Sequence, residues 1–283
     1  RQRQMCIRDR NIHPDFRCGK DMPVLFIHRT LPDAEIYFVS NQHNERVVFN
    51  GEFRVSQEFS PELWNPVTGE IRYLPDFKSK EGYISLPVEL EGNESAFIVF
   101  RKNNKLTETK DNFPQKVTVC KINTPWRITF EAGKRGPETP VVWSQLKDWM
   151  NSENDSIKYF SGQAVYETTF TLEKLPQKNL YIDLGNVMVM AKVTLNGQYV
   201  GGVWTFPYRL NVTGYLKEGE NKLEITVVNN WQNRLIGDQR FPEDQRLTWT
   251  TINPWKADSS LQSSGLLGPV EIQAFDYKIV KPE

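Results

Sequence analysis

Residues 180–238 read LYIDLGNVMVMAKVTLNGQYVGGVWTFPYRLNVTGYLKEGENKLEITVVNNWQNRLIGD, and the alternation of apolar and polar side chains in this stretch decides the fold class. Leu180, Ile182 and Leu184 lie on one face of an extended segment, which is the period-two pattern of a half-buried strand. The same pattern returns in three further runs, at 187–195, 208–212 and 223–227. The sequence therefore predicts a series of strands.

An Asn-Gly pair at positions 196 and 197 predicts a tight hairpin within this series. A type I′ turn requires positive φ at both central residues, and Asn and Gly adopt such angles most easily. The strand over 187–195 is therefore expected to reverse into a strand over 198–204. A polar turn at 217–221 separates the last two runs. Four or five antiparallel strands packed so closely along the chain indicate a β-sandwich.

Four motifs in this stretch resemble the sugar-binding jelly-roll domain of glycoside hydrolase family 2. They are IDLGNV at 182–187, LNGQYVGGVW at 195–204, PYRLNVT at 207–213 and LKEGENKLEITVVN at 216–229. Further motifs resemble the C-terminal region of large bacterial α-L-rhamnosidases of glycoside hydrolase family 106. These are NWQNRLIGD at 230–238, SGLLGPV at 264–270, YFSGQAVY at 159–166, IHR at 27–29 and DAEIYFVSN at 33–41.

The resemblance covers nearly all of residues 11–277, and it implies where the chemistry of the parent enzyme lies. In such enzymes the catalytic acids are carried by a (β/α)8 barrel N-terminal to the sandwiches. A barrel of this kind takes about 250 residues of alternating strand and helix, a pattern this sequence lacks. We therefore expect no catalytic residue in this chain, and residues 12–20 are expected to be the last trace of the segment that leaves the barrel.

The predicted fold class is all-β, with two consecutive β-sandwiches, the second a galactose-binding-like jelly roll. Short strand-like runs separated by turns at 32–33, 50–51, 66–69 and 92–93 predict the first sandwich. One short helix is predicted at 145–150, with Ser144 as its N-cap. The expected organisation is a remnant at 1–23, a small sandwich at 24–102, a linker at 103–116, a jelly roll at 117–277 and a tail at 278–283.

The first ten residues, RQRQMCIRDR, are basic but contain no apolar run of the kind that a secretory signal has. They resemble translated sequencing-adapter text. We therefore expect an artefact here, with the natural protein beginning further upstream and this chain being a C-terminal fragment. On this view the parent protein is periplasmic or extracellular, and its signal is not present in the chain.

Composition excludes several classes of partner. Lys and Arg together number 35, as do Asp and Glu, so the formal net charge of 0 gives no electrostatic case for binding nucleic acid or an anionic membrane surface. No apolar run approaches the ~18 residues of a membrane span. The three cysteines and three histidines show no metal-ligand spacing, so no disulfide framework, zinc site or other cofactor is expected. Related jelly rolls often carry calcium, for which Asp148, Glu153 and Asp155 are candidates.

The loops over 204–238 are the predicted carbohydrate-binding region. An aromatic face stacks on the apolar CH face of a sugar ring, while amide, guanidinium and carboxylate groups bond neighbouring hydroxyls. The alternative is structural, with the tryptophans wedged at the sandwich edge and Arg234 paired locally with Asp238. In a third interpretation the loop packs on the catalytic barrel of the full-length enzyme and helps to shape the substrate cleft, without binding sugar by itself. The candidate residues are Trp204, Tyr208, Asn230, Trp231, Asn233, Arg234 and Asp238, with Trp249 as a further aromatic.

The sequence thus predicts the non-catalytic C-terminal portion of an α-L-rhamnosidase-like glycoside hydrolase, which supports its barrel and binds an oligosaccharide or polysaccharide. Two alternatives remain open at this point. The chain could be a free-standing carbohydrate-binding or adhesion module, or a fragment of a family 2-type β-glycosidase, because the jelly roll is shared and a fold alone does not fix the reaction.

Overall fold

The computed structural model describes residues 13–55, 58–102, 111–113, 116–276 and 279–280. The regular secondary structure of the described residues consists almost entirely of strands, paired in antiparallel ladders, so the predicted all-β class is confirmed. They form two compact units: the first takes in the described parts of residues 1–115 and 276–283, and the second takes in 116–275. The predicted artefact at 1–10 and most of the predicted linker lie outside the described residues.

The first unit consists of two sheets around one core, with strand orders β1-β4-β8-β7 and β2-β3-β9-β5-β6-β22. Apolar side chains from both sheets, among them Tyr37, Phe53 and Phe100, form that core. The strands are β1 (Phe16–Arg17), β2 (Val24–Thr30), β3 (Ala34–Asn41), β4 (Val47–Arg54), β5 (Ser60–Trp64), β6 (Ile71–Tyr73), β7 (Lys78–Lys80), β8 (Tyr83–Leu90), β9 (Ser95–Arg101) and β22 (Ile279–Val280).

One turn predicted in the first unit is wrong. Asn50 and Gly51 lie inside β4, in continuous antiparallel register with β8, and not between two strands. A Cβ atom at position 51 would come within 2.7 Å of the Phe53 ring and 3.3 Å of the Phe16 ring. Gly51 therefore makes room for two core aromatic rings, and the strand-like runs predicted on either side of it are one strand.

The second unit contains sheets of order β10-β21-β14-β18 and β12-β11-β13-β19-β16-β17, with a small β15-β20 pair. Its core includes Trp126, Trp149 and Tyr166. The strands are β10 (Val117–Lys121), β11 (Trp126–Phe130), β12 (Val141–Trp143), β13 (Gln163–Leu172), β14 (Asn179–Asp183), β15 (Asn186–Met188), β16 (Met190–Leu195), β17 (Gln198–Val203), β18 (Arg209–Asn211), β19 (Gly219–Val228), β20 (Gly265–Gly268) and β21 (Glu271–Phe275).

The hairpin predicted at Asn196 and Gly197 is confirmed. Strands β16 and β17 pair across it, with Leu195 opposite Gln198, and both turn residues have positive φ, 52° and 79°. The predicted alternation in β19 is also confirmed, because the apolar side chains at 223, 225 and 227 are all fully buried. The ten-residue β19 pairs with β13 on one side and β16 on the other, so it forms the centre of its sheet.

Two local predictions in the second unit are wrong. The run 187–195 is not one strand, because β15 pairs with β20 whereas β16 pairs with β17 and β19. The helix predicted at 145–150 is instead a single 3-10 turn, Trp149–Asn151, whose N-cap is Asp148 rather than Ser144. Within the described ranges the other helices are Asp155–Lys158, Gln232–Asp238 and the 3-10 turn Glu243–Gln245, none of which the sequence predicted.

Candidate functional site

Most of the candidate residues lie in one long connection, residues 229–264, which joins β19 to β20 and is called the 229–264 loop below. It contains the helix Gln232–Asp238 and the 3-10 turn Glu243–Gln245. The rest of the loop has no regular secondary structure, so its shape depends on side-chain hydrogen bonds. Two buried groups of polar side chains provide them.

The first group is a set of amides that fastens both ends of the 229–264 loop. Asn229 Nδ2 donates to the carbonyl of Phe160 over 2.9 Å, and Asn229 Oδ1 accepts from the Gly162 amide over 3.0 Å. Asn233 is fully buried; its Nδ2 donates to the carbonyl of Gln262 over 2.6 Å, and its Oδ1 accepts from the Gln262 amide over 2.8 Å. These paired bonds tie the start of the loop to its end.

The second group is the ion pair between Arg234 and Asp238, one helical turn apart. Arg234 Nη2 lies 2.9 Å from Asp238 Oδ1, and the two residues are only 4% and 1% exposed. Asp238 Oδ2 accepts from both the amide and the hydroxyl of Thr248, over 2.9 and 2.6 Å. Burial lowers the pKa of the Arg234 guanidinium, and the opposite charge of Asp238 counteracts this shift.

The aromatic candidates are exposed. The exposed fractions are 58% for Trp204, 63% for Trp231 and 80% for Trp249. Such values are unusual for tryptophan, which is highly buried on average, so these rings present apolar surface to solvent. Tyr208 differs, since it is half-buried and packs against the core of the second unit; burial raises the pKa of its hydroxyl.

The predicted site residues therefore separate into two sets. Trp204, Asn230 and Trp231 are exposed, although Asn230 Nδ2 already donates to Gln262 Oε1 over 2.7 Å and Asn230 Oδ1 accepts from the amide of Gln232 over 3.2 Å. Asn233, Arg234 and Asp238 are buried. Asn233 and Asp238 form hydrogen bonds within the loop, and Arg234 is ion-paired with Asp238. The predicted local ion pair of the last two is present, and these three side chains shape the loop from inside.

Arg135 is a neighbour of this site that sequence reasoning missed. It lies in the connection between β11 and β12, and its Nη1 is 3.8 Å from Asp238 Oδ1. Its guanidinium lies over the Phe241 ring, 4.7 Å from the centroid, and its Nη2 donates to the carbonyl of Gln245. No local pattern connects position 135 with position 238, because the fold alone brings them together.

Two of the three candidate calcium ligands, Asp148 and Asp155, have other partners. Asp148 Oδ1 accepts from the amides of Met150 and Ser264, over 3.0 and 2.9 Å, while Asp155 pairs with Arg240 over 2.7 Å. Among the described residues, no three or more His, Cys, Asp or Glu side chains are grouped so that they could hold a metal ion. In the same residues no helix is long and apolar enough to cross a membrane.

Comparison with known families identifies two regions of the chain. Residues 1–79 match the family model described as alpha-L-rhamnosidase, and residues 143–260 match the model described as glycosyl hydrolase 2 galactose-binding domain-like. The first match includes the ten N-terminal residues. The resemblance to both families is therefore confirmed, and these regions are glycoside hydrolase-related domains.

Two proteins give the scale of this similarity. A putative beta-glucuronidase of Formosa agariphila is 43% identical over 164 residues, which cover 49% of this chain and 14% of that protein. The solved rhamnosidase of Novosphingobium sp. PP1Y superimposes with a TM-score of 0.83 at 33% identity, covering 95% of this chain and 26% of that one. The chain thus spans roughly a quarter or less of the length of these two relatives.

Proposed function

We propose that this chain is the non-catalytic β-sandwich portion of an α-L-rhamnosidase-like glycoside hydrolase, and that it contacts glycan through the 229–264 loop. The observation that carries the proposal is the superposition on the Novosphingobium rhamnosidase over almost the whole chain. Under this proposal the partners are a saccharide and the catalytic barrel of the same protein, and the full-length protein works in the periplasm or outside the cell.

The absence of catalysis in this chain is supported by how its carboxylates are used. Hydrolysis of a glycosidic bond requires two carboxyl groups that face the bond, about 5 to 9.5 Å apart. Around the buried half of the loop, Asp148 caps a 3-10 turn, Asp155 pairs with Arg240 and Asp238 bonds Thr248. These three carboxylates stabilise the fold through hydrogen bonds or an ion pair. Groups engaged in this way are less available to act as a catalytic acid or nucleophile.

The glycan contact is supported by the exposed indole rings. Trp231 immediately precedes the helix Gln232–Asp238, and Trp249 immediately follows Thr248, which is bonded to Asp238. Both rings are therefore attached to backbone that buried polar side chains hold in place. A fixed aromatic surface loses little conformational entropy on binding, which favours stacking on the CH face of a sugar.

The proposal is tested by native affinity electrophoresis of the purified chain in gels that contain a soluble rhamnose-rich polysaccharide. We expect the polysaccharide to retard the chain, and a Trp231→Ala/Trp249→Ala double variant to lose this retardation. Tyr199→Ala is the matched control, because Tyr199 is an aromatic residue on β17, outside the loop, and is as exposed as Trp231. Equal retardation of all three proteins would refute the proposed contact.

The non-catalytic part of the proposal has a separate test. The purified chain is incubated with an aryl α-L-rhamnoside, and release of the aryl group is followed by absorbance. No release above that of buffer is expected. Release that scales with protein concentration would mean that the chain carries its own acid and nucleophile.

A second candidate is a portion of a family 2-type β-glycosidase, favoured by the match of residues 143–260 and by the identity to the putative beta-glucuronidase. The complete gene separates the candidates. An in-frame rhamnosidase-type barrel upstream supports the first, a β-glycosidase-type barrel supports the second, and a start codon directly before the sandwiches supports a free-standing binding module.

A further inference from the structure

Three buried polar atoms without a hydrogen-bond partner lie together beside the 229–264 loop. They are Nη1 of Arg135, Nε of Arg234 and Oδ1 of Asp238, and they make up most of such atoms in the part of the chain that the structure describes. Asp238 Oδ1 is 2.9 Å from Arg234 Nη2 and 3.8 Å from Arg135 Nη1, yet neither N–H points at it well enough to form a hydrogen bond.

Buried polar atoms of this kind are expected to have hydrogen-bond partners. Buried polar groups in folded proteins are nearly always bonded, and an unbonded one frequently marks a place that receives water, an ion or a ligand. Arg234 is more than nine-tenths buried. Its unbonded Nε belongs to a charged guanidinium and can donate a hydrogen bond. The other side of the carboxylate is already satisfied by Thr248.

The kinds of unbonded atoms decide which partner fits. Two are donors and one is an acceptor. A carboxylate or sulfate supplies only acceptors, so it would satisfy the two arginines but leave Asp238 Oδ1 facing another negative oxygen. A cation would satisfy Oδ1 and oppose the arginines. A hydroxyl group both accepts and donates, so adjacent hydroxyls match the whole set.

We propose that Arg135, Arg234 and Asp238 form a binding site for an adjacent pair of hydroxyl groups on a neutral sugar. The inference rests on the proposed function and deepens it, because it names neutral over acidic sugars as the ligand class and adds Arg135 to the site. Arg135 Nη1 and Arg234 Nε donate to the sugar oxygens, and one sugar hydroxyl donates to Asp238 Oδ1.

Access to this site depends on Arg135, which covers it. Its side chain is 35% exposed, whereas those of Arg234 and Asp238 are almost completely enclosed. Arg135 has a φ of 57°, in the left-handed region that non-glycine residues seldom adopt. It is held from outside by the Phe241 ring and the Gln245 carbonyl. Under this proposal the sugar enters at this partly exposed side chain.

Arg234 is fixed from the opposite side. A Cβ atom at Gly237 would come within 2.7 Å of both Arg234 Nη2 and the Tyr159 side chain, so only glycine allows these groups to pack so closely. The site therefore combines a buried arginine and carboxylate with a partly exposed arginine. Such an arrangement preorganises the polar contacts and leaves a route of entry.

The test is a titration of the ¹⁵N-labelled chain with L-rhamnose, followed by two-dimensional NMR of the arginine Nε–H and tryptophan indole N–H signals. The Arg234 Nε–H signal, assigned by its loss in Arg234→Lys, is expected to shift in a saturable way. Sodium sulfate is expected to leave it unchanged. In Arg135→Gln the affinity is expected to fall about tenfold, as for one hydrogen bond to a charged group.

Arg127→Gln is the matched control, since Arg127 is an exposed arginine that pairs with Glu167 across the neighbouring strands β11 and β13. It should bind L-rhamnose as the wild type does. Shifts in indole signals alone would overturn the site and leave the proposed glycan contact standing. Shifts in Arg234 alone would keep the site and count against the tryptophan contact. A response to sulfate only, or to neither ligand, would overturn the site.

Discussion

The two faces of the 229–264 loop differ in what holds them. On the inner face Asn233, Arg234 and Asp238 are buried among hydrogen-bonding or ion-pairing partners, while on the outer face the side chains of Trp231 and Trp249 are mostly exposed. Both faces contain residue types that can bind a sugar, with polar groups that bond hydroxyls on the inner face and aromatic rings that stack on CH groups on the outer face. The inner face contributes to stability as well as to the proposed hydroxyl site, whereas the outer face contributes to recognition alone, so substitutions in the outer face should change binding without changing stability.

The largest effect is expected from Asp238→Ala. This change leaves the Arg234 guanidinium buried without its counter-charge and removes the acceptor for both Thr248 donors. Removing one partner of a buried ion pair costs about 3–5 kcal/mol of unfolding free energy. Urea unfolding followed by tryptophan fluorescence measures the loss.

A double variant sharpens this prediction. Arg234→Met/Asp238→Leu removes both charges and retains side-chain volume, and such replacements of buried ion pairs are often neutral for stability. We expect the double variant to recover most of the stability that Asp238→Ala loses. A double variant as unstable as Asp238→Ala would show that the Thr248 hydrogen bonds, and not the uncompensated charge, dominate.

Asn233→Ala is expected to have the next largest effect. The change breaks the two hydrogen bonds with the backbone of Gln262 and leaves those backbone groups without their partner. Unsatisfied buried groups cost about 1–3 kcal/mol each, and relaxation of the loop end toward water should reduce the total to about 2 kcal/mol.

Hydrogen exchange locates this effect. The Gln262 amide should exchange faster in Asn233→Ala, because its acceptor Asn233 Oδ1 is gone. Asn230→Ala is the control: Asn230 is exposed and bonds the side chain of Gln262, so its removal should leave that amide protected. Unchanged exchange of the Gln262 amide in Asn233→Ala would contradict the role assigned to Asn233.

Arg135→Gln should reduce stability by less than about 1 kcal/mol, as for partly exposed ion pairs. Its side chain is partly exposed, and its Nη1 is too far from Asp238 for a hydrogen bond. The same urea experiment measures the change. A loss as large as that of Asp238→Ala would mean that Arg135 is a structural part of the inner face rather than its partly exposed cover.

Local pattern predicted those parts of the fold that depend on neighbours along the chain. The alternation in β19 and the turn at Asn196 and Gly197 are such cases, since strand period and turn chemistry are read from adjacent residues. Asn50-Gly51 is the same dipeptide as Asn196-Gly197, but it lies within strand β4 and forms no turn. There, packing of Phe16 and Phe53 on the glycine outweighs the turn preference.

In the candidate site, too, only the contacts between residues close together in the sequence could be predicted. The spacing of four between Arg234 and Asp238 is visible in the sequence, and the local pairing it suggests is present. The sequence could not show that Asn233 binds Gln262, or that Arg135 covers the pair, because these contacts join segments far apart in the chain. Burial of the polar candidates likewise follows from tertiary packing and not from their types.

The smallest effect on stability is expected at the outer face. Trp231→Ala and Trp249→Ala should each change the unfolding free energy by no more than about 0.5 kcal/mol, because exposed residues without buried contacts contribute little. Trp149→Ala serves as the contrast, since its ring is fully buried in the core and its indole N–H donates to Tyr166 over 2.6 Å. That variant should lose about 3–5 kcal/mol. Urea unfolding of all three compares them directly. A loss above about 2 kcal/mol for Trp231→Ala would fall in the range of core truncations, and it would place that ring in the structural half of the loop.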